Sequence, residues 1–273
     1  MTFFEKLDNS VKANNSLLCI GLDTDTHRIP KHLVEESEDH IFEFNKAIID
    51  STHDLVCAYK PNSAYYEADG IEGLASLEKT IEYINSTYPE IPVILDAKRA
   101  DIGSTSEHYA MAGFDYFKAD ALTLHPYMGE DSLEFFLKRS DKGCVILCRT
   151  SNKGATDFQD LQVDGKPLYM KVAEKIVEWD KTYHNCLMVV GATWPEQMAE
   201  IRKIAPEMNL LVPGIGTQGG DLQGTLKAGL RADKAGLIIN AGRSIIYASH
   251  GEDFADRART EAQKLRDEIN SHR

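Results

Sequence analysis

Eight short apolar runs recur along the chain, each ending in polar residues or glycine. They are Leu17–Asp23, Leu55–Lys60, Ile91–Lys98, Ala121–His125, Cys144–Thr150, Leu187–Thr193, Leu210–Gly216 and Ala235–Gly242. Stretches of helical period lie between them. Ile71, Leu74, Leu77, Ile81 and Ile84 form one stripe, and Leu168, Val172, Ile176 and Trp179 another. Phe254, Ala258, Ala262, Leu265 and Ile269 form the last. A strand that is apolar throughout is buried on both faces, which calls for a parallel sheet covered by helices. Eight such strands alternating with helices point to an α/β fold, a (β/α)8 TIM barrel; a doubly wound open sheet is the rival. At 273 residues the length would suit two average domains, but one barrel is routinely this size. No composition break, linker or low-complexity tract divides the chain. The expectation is a single barrel domain over 1–273, with a short helix over roughly Phe3 to Ala13 closing its bottom.

Charge and cysteine usage narrow the function. A formal net charge of −13 argues against a nucleic-acid binder, although a local basic cluster can still hold a small anion. No apolar run is long enough to span a bilayer, and the N-terminus carries early charge without a secretory apolar core, so a cytoplasmic protein is expected. The five cysteines, Cys19, Cys57, Cys144, Cys148 and Cys186, sit in or beside the strand-like runs, and none forms a C-x-x-C pair. They read as buried thiols serving as small hydrophobes, with no metal site among them.

In a barrel, catalytic groups come from the C-terminal ends of strands. The third run ends in Asp96-Ala97-Lys98-Arg99-Ala100-Asp101-Ile102-Gly103. Side chains alternate along a strand, so Asp96 and Lys98 are expected to share a face, with Asp101 following where the chain leaves the sheet. Such crowding is costly unless the charges are paired, and a surface salt-bridge cluster would account for it as well. Asp23 and Lys60 end the first two runs, and Ser151 follows the fifth. Singly, Asp23 reads as a turn cap and Lys60 as a solvated strand end; their coincidence at equivalent ends favours a shared site. A second signal is Val212-Pro213-Gly214-Ile215-Gly216-Thr217-Gln218-Gly219-Gly220, followed by Asn240-Ala241-Gly242-Arg243-Ser244. Glycines admit a ligand to the backbone, and the loops after strands seven and eight are this fold's usual phosphate site, where Arg243 can grip an anion bidentately. Two ordinary glycine turns are the alternative. His125 stands alone and reads as structural, Arg149 and Thr150 as ordering a loop, and Asp115, Asp120 and Asp131 as helix-end or turn residues. The connection from Ser151 to Pro167 is long enough to be functional.

Taken together these blocks resemble the orotidine 5′-phosphate decarboxylase family in its longer bacterial form. The similarity runs through Gly21-Leu22-Asp23, Lys60-Pro61-Asn62, Asp96 to Thr105, Arg149-Thr150-Ser151-Asn152, Val190-Gly191-Ala192-Thr193, Pro213 to Gly220 and Gly242-Arg243-Ser244. Lys153, where proline is common, and His125, where asparagine is common, depart from the pattern and bear on local loop geometry. The resemblance implies decarboxylation of orotidine 5′-phosphate to UMP by an alternating array of Lys60, Asp96, Lys98 and Asp101. It implies a homodimer in which Asp101, Ile102 and Thr105 reach the partner's site. Asp23, Lys60 and Thr105 would hold the ribose, Ser151 and Gln218 the pyrimidine, and Gln218 and Arg243 the phosphate, aided by backbone around Gly216. No thiamine or metal signature appears in the sequence, so no cofactor is expected, and Lys98 would both stabilise and protonate the ring carbanion. Two rivals remain. One is a sugar-phosphate aldolase or keto-gulonate-phosphate decarboxylase of the same superfamily, which shares D-x-K-x-x-D but uses a metal. The other is a catalytically silent phosphate-binding protein.

Overall fold

The computed structural model describes residues 1–215 and 220–273; the expected contacts of Gly216 and Gln218 lie outside the described residues. The barrel strands are β1 (Leu18–Leu22), β2 (Ala58–Pro61), β3 (Ile94–Arg99), β4 (Ala121–Leu124), β5 (Gly143–Arg149), β6 (Cys186–Val190), β7 (Leu210–Pro213) and β8 (Leu237–Ala241). All pair in parallel, in the order β2-β1-β8-β7-β6-β5-β4-β3. Parallel bridges Tyr59↔Val93 and Asn62↔Asp96 join β2 to β3 and close the ring. This is the expected (β/α)8 barrel, with helices between the strands.

Strand alternation divides the apolar residues between two cores. Leu18, Ile20 and Leu22 of β1 point outward into the helix layer, as do Tyr59, Leu122, Met188, Val212 and Ile239 of other strands. Cys19, Ala58, Ile94, Ala121, Val145, Leu187, Leu211 and Ile238 point inward and pack together inside the barrel. Two residues further along each strand the side chains point inward again. On β2, β3, β4 and β8 those positions are Lys60, Asp96, Thr123 and Asn240. The floor of the barrel is therefore apolar and its upper layer polar, on the same strands.

The N-terminal helix spans Phe3–Ala13, as expected, and begins in a capping box between Thr2 and Glu5. Its Phe3 and Leu7 enter the inner core and stopper the barrel from below, each contributing about 1.5–3 kcal/mol by burial. Lys6, between them, pairs with Asp120 at 2.8 Å, so Asp120 is more than a turn residue.

Two of the expected helix stripes are displaced. On the helix Gly70–Thr87, Leu77, Ile81 and Ile84 are buried, but Leu74 is exposed and Ile71 is 87% exposed. Its first turn packs instead against the preceding helix, Ser63–Ala68, through Gly73, where a Cβ would run into the Tyr66 carbonyl, and this leaves Ile71 on the outside. On Leu168–Tyr183 the buried face is Tyr169, Ala173, Ile176 and Trp179, which replaces Leu168 and Val172 by their neighbours. The helix is rotated toward Arg149, whose guanidinium lies 5.7 Å from the Tyr169 ring centre. The final helix, Phe254–Ser271, buries Phe254, Ala258, Ala262 and Ile269 of the expected stripe.

Candidate active site

The upper polar layer opens into a cavity of about 510 Å³ at the C-terminal ends of the strands. Asp23, Lys60, Asp96, Lys98, Ser151 and Arg243 all line it, together with Asn62, Thr123, His125 and Asn240. Leu147, Val189 and Leu211 form part of its wall, and Pro213, Gly214, Ile215 and Gly242 line it beside Arg243. The volume is in the range of small-molecule sites.

Asp96 is the centre of the charged group. Its Oδ1 lies 2.7 Å from Lys98 Nζ and accepts a 2.8 Å bond from Thr123 Oγ1. Its Oδ2 lies 3.0 Å from Lys60 Nζ and accepts from Asn62 Nδ2 at 3.4 Å. Asn62 is itself held by the neighbouring helix, because its Oδ1 accepts the Ala64 amide. Burial alone would raise the Asp96 carboxyl, but Lys60 and Lys98 override it and hold the group well below the ordinary aspartate range. Burial likewise opposes the charge on Lys60, yet Asp96 and then Asp23 outweigh it and hold the ammonium above its usual range. Asp23 Oδ1 sits 3.8 Å from Lys60 Nζ and, among the described residues, neither it nor the buried Asn240 Oδ1 makes a hydrogen bond. Unsatisfied buried acceptors are uncommon in folded proteins and mark places where a ligand donor fits.

Lys98 does not lie on a regular strand. Leu95 pairs with Leu122 and Arg99 with Leu124, so Asp96, Ala97 and Lys98 together face Thr123 alone. The expectation that simple alternation aligns Asp96 and Lys98 is corrected by this bulge. Lys98 has a φ of 48°, a left-handed conformation costing a non-glycine residue about 1–3 kcal/mol. Its backbone N–H donates to Thr123 Oγ1 at 2.9 Å. The side chain remains 48% exposed, so the ammonium faces the cavity while still touching Asp96.

Within this chain, Asp101, Ile102 and Thr105 do not line the cavity. Asp101 accepts the Ile102 amide at 2.8 Å just before the helix Gly103–Ala110, and Ile102 and Thr105 are exposed. His125 lines the cavity, with Nδ1 accepting the Tyr127 amide at 3.3 Å; that leaves Nε2 to carry the proton in the neutral ring. Partial burial holds the imidazole below its ordinary range.

The connection after β5 has its own scaffold. Arg149 is fully buried and donates to Gln159 Oε1 at 3.1 Å and to Asp160 Oδ2 at 3.2 Å. Its guanidinium stacks 4.1 Å from the Trp194 ring centre, and Trp194 Nε1 in turn donates to the Thr150 carbonyl. Gln159 also accepts the Thr150 amide and donates to Thr150 Oγ1. Ser151 and Asn152 are thereby presented to the cavity. Gly191 allows this approach, because a Cβ there would lie 2.8 Å from Ser151 N, Cα and Cβ. The segment beyond has local structure of its own. It holds a 3-10 turn at Lys153–Asp157 and a hairpin pairing Gln162–Val163 with Lys166–Pro167, turned by Asp164 and Gly165 at φ 52° and 77°.

Thr123, Asn62, Gln159 and Asn240 were not singled out as site residues from sequence. Thr123 carried a usable signal, as the one hydroxyl inside an apolar run, at an inward position in register with Asp96. Gln159 carried none, since its role depends on where the loop folds back.

The family model described as "Orotidine 5'-phosphate decarboxylase / HUMPS family" matches residues 16–258. A protein of Cellvibrio japonicus named orotidine 5′-phosphate decarboxylase is 55% identical over 271 residues, covering 99% of this chain and 98% of the relative. One of the same name from Ralstonia pickettii is 50% identical over 273 residues, the whole of both chains. The solved structure of Leishmania donovani OMP decarboxylase superposes with a TM-score of 0.85 at 40% identity, covering 99% of this chain and 98% of that one.

Proposed function

The chain belongs to the orotidine 5′-phosphate decarboxylase / HUMPS family, and from that premise we infer that it converts orotidine 5′-phosphate to uridine 5′-phosphate in pyrimidine biosynthesis. It is a carboxy-lyase. The observation that carries the reading is the Lys60–Asp96–Lys98 array at the cavity, in a chain alike along its whole length to proteins named for this reaction.

Loss of CO₂ from an sp² ring carbon leaves a lone pair in the ring plane, which cannot delocalise into the π system. The developing charge is met by the Lys98 ammonium, which then delivers a proton to the same carbon. Asp96 accepts four donors, so its carboxylate is fixed before substrate arrives and holds Lys98 Nζ from one side. Asp23 and Lys60 take the ribose hydroxyls, and Asp23 Oδ1, which accepts no hydrogen bond among the described residues, supplies an acceptor for one of them. Ser151 meets the pyrimidine. Arg243 and the Gly242 backbone meet the phosphate, with Gln218 and the backbone of Gly216 assigned there from the family resemblance. Phosphate binding far from the reacting carbon supplies energy for closing the 151–167 connection.

The site is completed by a second copy of the chain. Asp101, Ile102 and Thr105 leave β3 on the rim and turn away from their own cavity, and the loop after β4 exposes Tyr127 and Met128 on the same face. These support a homodimer across the open face, with Asp101 reaching the partner's Lys98. A cytoplasmic location is supported by five buried, unbridged cysteines and, among the described residues, by the lack of a helix long and apolar enough to cross a membrane.

The direct test follows the loss of ultraviolet absorbance when purified protein meets orotidine 5′-phosphate, before and after exhaustive chelation. Turnover that survives chelation supports the reading. Turnover lost to chelation favours a metal-dependent relative, and none at all favours a silent binder. For the shared site, Lys98→Ala and Asp101→Ala proteins are mixed after subunit exchange has been verified by mass. Half of randomly reassorted dimers carry one intact site, so recovery approaches roughly a quarter of wild-type activity. No recovery despite exchange would show that Asp101 acts within its own chain.

A further inference from the structure

We propose that Thr123 is a positioning residue for this reaction, its single buried hydroxyl holding both the left-handed backbone of Lys98 and the carboxylate of Asp96. The inference rests on the decarboxylase reading. It concerns a residue that belongs to neither the charged array nor the phosphate loops.

The reason lies in strand register. Between Leu95 and Arg99 of β3 there are three residues, whereas between Leu122 and Leu124 of β4 there is only Thr123. A regular parallel ladder cannot serve every backbone group of the longer side. The Lys98 N–H is left without a strand partner, and Thr123 Oγ1 takes it at 2.9 Å. The same oxygen donates its hydrogen to Asp96 Oδ1 at 2.8 Å. A hydroxyl has one hydrogen and two lone pairs, so it can accept and donate at once, which no aliphatic side chain can do. Thr123 is 1% exposed, so water does not readily replace it. The Lys98 ammonium bonds the same Asp96 oxygen at 2.7 Å, and a four-membered relay results: Lys98 amide, Thr123 hydroxyl, Asp96 carboxylate, Lys98 ammonium. Backbone and side chain of Lys98 are pinned through one atom of β4. As a β-branched residue on a strand, Thr123 has few rotamers to choose from, so the hydroxyl is itself well placed.

The consequence is a division of labour. Without the hydroxyl, the bulge relaxes and the ammonium wanders relative to the reacting carbon, while ribose and phosphate contacts remain. Misplacement on the order of 1 Å costs about 10²-fold in rate. Thr123→Val keeps shape and burial but neither bond; Thr123→Ser keeps both bonds. The experiment measures kcat and KM for orotidine 5′-phosphate, UMP affinity, and the Lys98 amide resonance in ¹⁵N-labelled protein, for wild type and both variants. The expected result for Thr123→Val is a kcat loss of about 10²-fold with UMP affinity within about twofold, and a displaced Lys98 amide. Thr123→Ser is expected to restore most of the rate and the resonance. Wild-type kcat in Thr123→Val would overturn the proposal, as would equal losses in both variants, which would assign the effect to packing. A wild-type protein that does not turn over orotidine 5′-phosphate would defeat the functional reading instead. In that case an undisplaced Lys98 amide in Thr123→Val would separately defeat this one.

Discussion

The two ends of the barrel each hold a lysine against an aspartate, and the two pairs are built differently. At the closed end, Lys6 meets Asp120 Oδ2 at 2.8 Å, and the same oxygen accepts the Val93 amide at 2.8 Å. Phe3 and Leu7 of the same helix enter the inner core. The Lys6 ammonium and Asp120 Oδ2 are both partnered, and Lys6 sits on a regular helix. At the open end, Asp96 binds two lysines, a threonine and an asparagine, while among the described residues Asp23 Oδ1 and Asn240 Oδ1 remain without hydrogen bonds, and Lys98 adopts a left-handed backbone. Left-handed residues also occur at the closed end, at Asn15, Lys118, His184 and Lys234, but Lys98 is the one that lies in the charged array and lines the cavity. One pair closes a fold, and the other holds charge ready for a ligand at some expense in stability.

Substitutions at each end sharpen that contrast. Lys98→Ala should produce the largest effect. Its proton-donor role alone is worth ~10²–10⁴-fold in kcat, with electrostatic stabilisation adding to that, whereas Tm should change little, since the Lys98 side chain is half-exposed and Asp96 keeps Lys60, Asn62 and Thr123 as donors. A steady-state assay beside a thermal melt checks this, and a variant with wild-type kcat would remove Lys98 from the chemistry.

Asp96→Asn should cost activity and roughly 3–5 kcal/mol of stability, because it leaves the buried Lys60 ammonium with only the more distant Asp23 carboxylate, at 3.8 Å, among its two ion-pair partners. The pH dependence has a definite sign. The Asp96 carboxyl titrates below its unfolded value, so its contribution is complete above about pH 4 and is lost as pH falls through the lower folded value. The raised Lys60 contributes fully below the unfolded lysine value and is lost as pH rises through its higher folded one. Denaturant titrations at several pH values should show the acid-side loss in wild type and a shallower one in Asp96→Asn. Identical acid profiles would mean the array is not linked to folding.

Lys6→Met is the smallest change. It should lower stability by about 1–3 kcal/mol by leaving the Asp120 carboxylate without its cation, with kcat within twofold of wild type. A large loss of kcat would mean that the two ends are coupled through the inner core, and the contrast would fail.

Much of the fold was legible before any coordinates. Short apolar runs marked the eight strands and helical period the stretches between them, because a strand buried on both faces is apolar throughout while a helix buries one face every 3.6 positions. Charged residues ending successive apolar runs likewise identified Asp23, Lys60, Asp96 and Lys98, since all parallel strands of a barrel end at one rim. The exposure of Ile71 and Leu74 was not legible, because it depends on which side of the Gly70–Thr87 helix meets the preceding helix. Nor was the Arg149–Gln159–Trp194 scaffold, whose members meet only once the β5 and β6 loops pack.

The sequence by itself determined the kind of barrel, its polar rim and the family of chemistry, all properties of residue type and spacing along one strand. Tertiary structure decided how Lys98 is aimed. The bulge in β3 exists only in register with β4, and the hydroxyl that fills it lies 25 positions away in the chain. Pairing between strands is set by the closure of the whole ring, and no local pattern encodes it.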